Sequence, residues 1–140
     1  MNIVCDKLTD YLPKATIKAS KDVVDYIKEV WPVDINHREA FVALYLNRRN
    51  NTIGYAVIGT GGLAATVADG KIVFQNALLC NASAIILIHN HPSDSSNPSQ
   101  TDIELTKKLV GFGKMIDMSV LDHIIISDTN FYSFADNGQM

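Results

Sequence analysis

Ala84-Ile85-Ile86-Leu87-Ile88-His89-Asn90-His91-Pro92 is the stretch on which the reading of the fold turns. An unbroken apolar run rich in Ile predicts a strand buried on both faces, near the middle of a sheet. Side chains alternate along a strand, so His89 and His91 are expected on one face, with Asn90 turned away from them in a structural role. Pro92 removes a backbone donor and the residues up to Ser99 are polar, so the strand should end here. The two imidazoles then stand at a sheet end, where a pocket can open.

Asp102 follows in the first turn of a helix expected over residues 101–115, whose apolar face is marked by Leu105, Leu109, Phe112 and Ile116. The acid falls on the side of Leu105 and Leu109. A carboxylate turned toward a core is costly unless it is paired or bound to a metal. Two His and one Asp make three of the four ligands of tetrahedral zinc, and water can complete the set, as in catalytic rather than closed structural sites. A plainer reading stands beside this one: Ser99-x-x-Asp102 has the form of a capping box. Thr101-x-x-Glu104 offers the same pattern, which leaves the helix start open. Capping accounts for Ser99 and Asp102 but not for two His on one strand face.

Other readings fail on the residues present. There is no His-Glu-x-x-His, no Pro-Cys-x-x-Cys, and no Lys-bearing phosphate loop around Gly59-Thr60-Gly61-Gly62. Ser93 stands where a metallo-β-lactamase pattern requires Asp.

His89-x-His91-Pro92, then Ser99 and Asp102, resembles the JAMM (MPN-plus) metalloprotease signature at every fixed position. The wider sequence is similar to the RadC-type branch of that family over about residues 16–135, through the segments Arg38 to Leu44, Asn76-Ala77-Leu78, Leu121 to Ile126 and Tyr132-Ser133-Phe134. The resemblance implies Glu39 as a general base acting on zinc-activated water, and Ser99 as a hydrogen-bond donor to the scissile carbonyl oxygen. It also implies a deaminase-like fold, a three-layer α/β/α sandwich with a mixed, curled sheet. Periodicity alone supports only an α/β or α+β sandwich. Two departures concern loop shape. Ser93 is commonly followed by Gly in that branch, and here Asp94 follows. Asp69-Gly70-Lys71-Ile72 replaces a usual His-Pro-Arg-Glu. Full-length RadC-type proteins also carry an N-terminal domain resembling DNA-binding helix-hairpin-helix modules, which is not expected within these 140 residues.

With 140 residues, 47% hydrophobic content and a formal charge of −3, the chain is expected to form one domain, with residues 1–19 as a leading arm and 136–140 as a tail. Pro13 argues against a helix in the arm. The absence of a basic stripe argues against nucleic acid as a partner. Cys5 and Cys80 form no metal or redox motif, and no signal peptide or membrane span is evident, so a cytoplasmic protein is expected.

Further elements are expected as a helix over 20–30 capped by Ser20, strands at 39–47, 52–58 and 63–67, a helix from 69 or 70 to about 80, and strands at 120–127 and 131–134. Arg48-Arg49-Asn50-Asn51 reads as a hairpin turn, and the Gly59 to Gly62 run as a sharp bend or bulge. His37 is assigned no role. His123 is expected to be a core histidine bonded to a neighbour, with a place behind the metal ligands as its other reading.

The leading expectation is a zinc-dependent hydrolase acting on a peptide or protein substrate. The alternative is a non-catalytic interaction module linked to DNA repair or a mobile element. Metal-assisted nuclease action ranks third, given the acidic balance. An edge strand near the N-terminus would allow pairing into a homodimer.

Overall fold

The computed structural model describes residues 14–61 and 68–140. The strand expected over 63–67, Cys5 and most of the leading arm lie outside the described residues. The elements are, in chain order, α1 (Ser20–Lys28), β1 (Glu39–Leu46), β2 (Thr52–Gly61), α2 (Gly70–Leu79), β3 (Ala84–Asn90), α3 (Gln100–Met115), β4 (Ser119–Ile126) and β5 (Phe131–Ser133). The sheet order is β2-β1-β3-β4-β5. β3 and β4 are parallel and the other pairs antiparallel, so the sheet is mixed.

The alternation of side chains sorts the core into two layers. Phe41, Ala43, Tyr45, Ile85 and Leu87 pack with Val73, Phe74, Ala77 and Leu109 of α2 and α3. Val42, Leu44, Leu46, Ile86 and Ile88 pack with Val23, Val24 and Ile27 of α1. β3 is buried along its whole length, as an apolar run covered on both faces must be. The result is the three-layer α/β/α arrangement, with α2 and α3 on the face that carries His89.

Several local expectations are corrected. Ser20 does not cap α1. Ala19 occupies the cap position, and the Asp22 carboxylate accepts from the Lys18 and Ala19 amides at 2.8 and 3.0 Å. An acid in the first turn satisfies those donors better than a hydroxyl one residue too late. β2 runs on through Gly61 instead of bending at Gly59. The irregularity lies just before, where Phe41 pairs with Gly59 and Val42 with Val57, so Ile58 is the extra residue.

On α3 the buried stripe runs through Thr106, Leu109 and Gly113, while Phe112 and Ile116 are 47% and 38% exposed. The reason is close approach at the helix end: a Cβ on Gly113 would sit 2.2 Å from the Met118 carbonyl oxygen. The small residue faces inward there and the large ones flank it. Phe112 covers Phe74 instead, ring centroids 4.7 Å apart.

Asn90 faces the α1 side, opposite the imidazoles, and is wholly buried. Its Oδ1 accepts from the Ala40 amide at 2.8 Å, and its Nδ2 donates to the Ile35 and Arg38 carbonyls at 2.9 and 2.8 Å. Three hydrogen bonds from one side chain thus fix the segment leading into β1, and with it Glu39. Asn90→Ala strands the buried Ala40 amide, at a cost of about 1–3 kcal/mol, and removes a donor from the partly buried Ile35 and Arg38 carbonyls. Urea denaturation should show a loss of about 2 kcal/mol or more. A loss below about 1 kcal/mol would mean that the approach to β1 is held by other contacts.

Candidate metal centre

β3 delivers His89 to the end of the sheet, 2% exposed, and the chain leaves the strand through His91. The His91 amide donates to the Ile126 carbonyl at 3.2 Å, which keeps the residue beside the end of β4. After the turn Asp94 has φ +63°, in the left-handed region. Glycine takes this conformation without penalty, and Asp is among the few other residues that tolerate it. Asp94, where the resemblance leads one to expect Gly, thus holds a conformation that Gly also takes.

Ser99 is the N-cap of α3. Its Oγ accepts from the Asp102 amide at 3.1 Å, and Asp102 Oδ2 accepts from the Ser99 amide at 2.8 Å. The helix thus starts at the earlier of its two candidate caps, and Thr101 lies within its first turn. The capping box does not exclude a site role for Asp102. The same carboxylate reaches His89 Nε2 through Oδ1 at 3.2 Å and His91 Nε2 through Oδ2 at 3.1 Å. The two Nε2 atoms are 3.0 Å apart.

Four donor atoms of three residues therefore converge: the two Nε2 atoms lie 3.0 Å apart, and each lies 3.1–3.2 Å from its own oxygen of the Asp102 carboxylate. Ligands held tetrahedrally at about 2.0–2.1 Å from a metal lie roughly 3.3 Å from one another. Two imidazole lone pairs facing each other repel, and a carboxylate beside them is buried charge. A cation among them satisfies all three groups at once; otherwise protons must do so. Glu39, at the start of β1, places a carboxylate oxygen within 4.8 Å of the donor nitrogens of His89 and His91, and this His/His/Glu cluster could itself hold a metal ion. Glu39, Phe41, His89, His91, Ser99 and Asp102 share one cavity of about 200 Å3.

Electrostatics follow from these contacts. Burial alone would raise the Asp102 carboxyl. The close contacts with the His89 and His91 imidazoles, with the hydrogen bond of the Ser99 amide, overcome it and hold the group far below the usual carboxylate range. His91 is raised, chiefly by its hydrogen bond to Asp102. His91 Nδ1 lies 2.9 Å from the Ser95 carbonyl oxygen, which can only accept, so Nδ1 carries a proton and Nε2 faces the cluster.

His123 is the core histidine bonded to its neighbours that the sequence leads one to expect, and one of those neighbours is His89. It is wholly buried. Its Nε2 lies 2.8 Å from His89 Nδ1 and its Nδ1 lies 2.6 Å from Thr106 Oγ1. Its ring stacks on Phe134 and meets Phe41 edge-on. Burial pushes its pKa well below the ordinary histidine value.

A mixed five-stranded sheet between helical layers, with this cluster at the open end of its central strands, defines a JAB/MPN-like α/β domain. A family model for the RadC-like JAB domain matches residues 17–139, and the chain belongs to that family. It is similar to a UPF0758 protein of Flavobacterium johnsoniae, 40% identical over 129 residues that make up 92% of this chain and 56% of the relative. A UPF0758 protein of Syntrophomonas wolfei is 38% identical over 124 residues, 87% of this chain and 53% of the relative. One from Methanosarcina mazei is 37% identical over 126 residues, 90% and 54% respectively. The chain spans about half the length of the curated relatives it matches.

The shifts predict the pH dependence of the metal-free protein. His91 is raised above 6.5 in the folded state, so its contribution is full below 6.5 and is lost as pH rises through the raised value. His123 is lowered from 6.5, so the unfolded chain takes up its proton first as pH falls, and stability drops on that side. Denaturation in chelator should therefore show maximal stability near pH 6.5. The alkaline decline should disappear in Asp102→Asn, which removes the main cause of the His91 shift. A steady rise to pH 8 in the wild type would contradict this assignment.

Proposed function

We propose that the domain is a zinc-dependent hydrolase that cleaves a peptide or isopeptide bond. The observation that carries this reading is the convergence of His89, His91 and Asp102 in one cavity, with the Glu39 carboxylate beside the imidazoles. His89, His91 and Asp102 would hold the ion, leaving one position open. Zinc bound there supplies Lewis acidity, which brings the pKa of water near neutrality and polarises a carbonyl.

The protein's own residues supply the rest. Glu39 takes the proton of the attacking water and delivers it to the leaving amine. The Ser99 hydroxyl accepts from the Asp102 amide, and its own proton is directed to the carbonyl oxygen as negative charge develops. Asp102 and His91 are held before any ion arrives, by the Ser99 amide and the Ser95 carbonyl. This preorganisation is what a metal centre requires of its surroundings.

The cavity of about 200 Å3 at the sheet end would take the scissile bond of a peptide or protein substrate. The two cysteines and the absence, among described residues, of a helix long and apolar enough to cross a membrane fit a reducing cytoplasmic setting.

Glu39→Gln separates base from ligand. With zinc content measured beside turnover on a panel of quenched peptides and isopeptide-linked conjugates, the variant should keep its metal. Its rate should fall by about 10²–10⁴-fold. Loss of the metal in this variant would instead make Glu39 a ligand.

A further inference from the structure

The two proposed imidazole ligands differ in what stands behind them. His91 meets a backbone carbonyl directly, whereas His89 meets a second histidine. The contacts behind His89 form a chain whose direction is set at its far end. Thr106 Oγ1 lies 2.7 Å from the Asp102 carbonyl oxygen and 2.6 Å from His123 Nδ1. A carbonyl only accepts, and a hydroxyl has one proton. Thr106 therefore donates to Asp102, and its oxygen must accept from His123. Nδ1 of His123 then carries the proton, and in a neutral ring Nε2 is bare. That nitrogen lies 2.8 Å from His89 Nδ1, so His89 donates there and its own Nε2 is left bare. The bare nitrogen is the one that faces His91 and Asp102.

We infer that Thr106 and His123 are positioning residues, a buried relay that fixes the tautomer and orientation of His89 and presents Nε2 as a metal ligand. The inference rests on the metal-site reading above. The relay begins at the main chain of Asp102 and ends on a ring that touches the Asp102 carboxylate. It thus ties the first turns of α3, the end of β3 and the middle of β4 into one closed circuit. Both relay residues are sealed from water, Thr106 at 1% and His123 at 0% exposure, so no solvent proton can substitute. Phe41 and Phe134 hold the His123 ring between them. A bulge in β4 brings His123 to this face: Val120 pairs with Ile85 and Asp122 with Ile86, so Leu121 is the extra residue and His123 falls opposite Leu87.

The test combines zinc affinity, by competition with a chromophoric chelator, with histidine nitrogen NMR of the zinc-loaded wild type. His123 should show a protonated Nδ1 and a bare Nε2, and His89 a protonated Nδ1. Thr106→Val keeps the shape and removes the hydroxyl. It should weaken zinc binding by about 10–100-fold, the usual effect of losing a group behind a ligand, and Thr106→Ser should restore it. Zinc binding by Thr106→Val equal to that of wild type, or His123 protonated on Nε2, would overturn the relay while leaving the metal site standing. A wild type that takes up no zinc would overturn both.

Discussion

The Asp102 carboxylate closes two structures at once. Through Oδ2 it satisfies the Ser99 amide at the start of α3, and through both oxygens it meets the imidazoles that β3 brings to the sheet end. Its side chain is only 14% exposed, so the charge needs compensation within the protein. Capping sets where α3 begins, and the beginning of α3 sets where the carboxylate stands. The site is therefore built into the junction of strand and helix. Asn90 extends the same logic to the other face of the sheet. One residue of β3 separates the two imidazoles and fixes the backbone approach to Glu39.

The parts of this arrangement that follow local periodicity were legible in the sequence. The apolar run of β3, the shared face of its two imidazoles and the helix bearing Asp102 all depend on alternation or turn chemistry within a few residues. The choice between Ser99 and Thr101 as cap was not legible, because the two patterns have equal local merit. The contact with the imidazoles, which only the folded chain makes, goes with the earlier cap. His123 was legible as a core histidine bonded to a neighbour, but which neighbours it meets was not. Its face depends on the bulge at Leu121, and an extra residue in a strand leaves no mark on a hydrophobic pattern. The inward face of α3 was misread at Phe112 and Ile116 because close approach to the chain at Met118 selects Gly113 rather than the larger apolar residues.

Membership in the RadC-like JAB domain family accounts for the shared frame, and the departures from the usual pattern can be read against it. Asp94 adopts a left-handed backbone conformation that is open to Gly and tolerated by Asp. Asp69 caps α2 through the Lys71 amide at 2.9 Å, so the altered opening of that helix still satisfies a first-turn donor. Neither change touches the cluster of His89, His91 and Asp102. The names of the relatives specify no reaction, and the chain spans about half of each. The chemistry therefore rests on the cluster itself.

Elemental analysis of the wild type and His89→Ala, purified in parallel without chelator, tests that cluster most directly. A metal centre predicts about one zinc per chain in the wild type and none in the variant. Metal-free protein in both, even after zinc is supplied, would contradict it and favour a non-catalytic interaction domain.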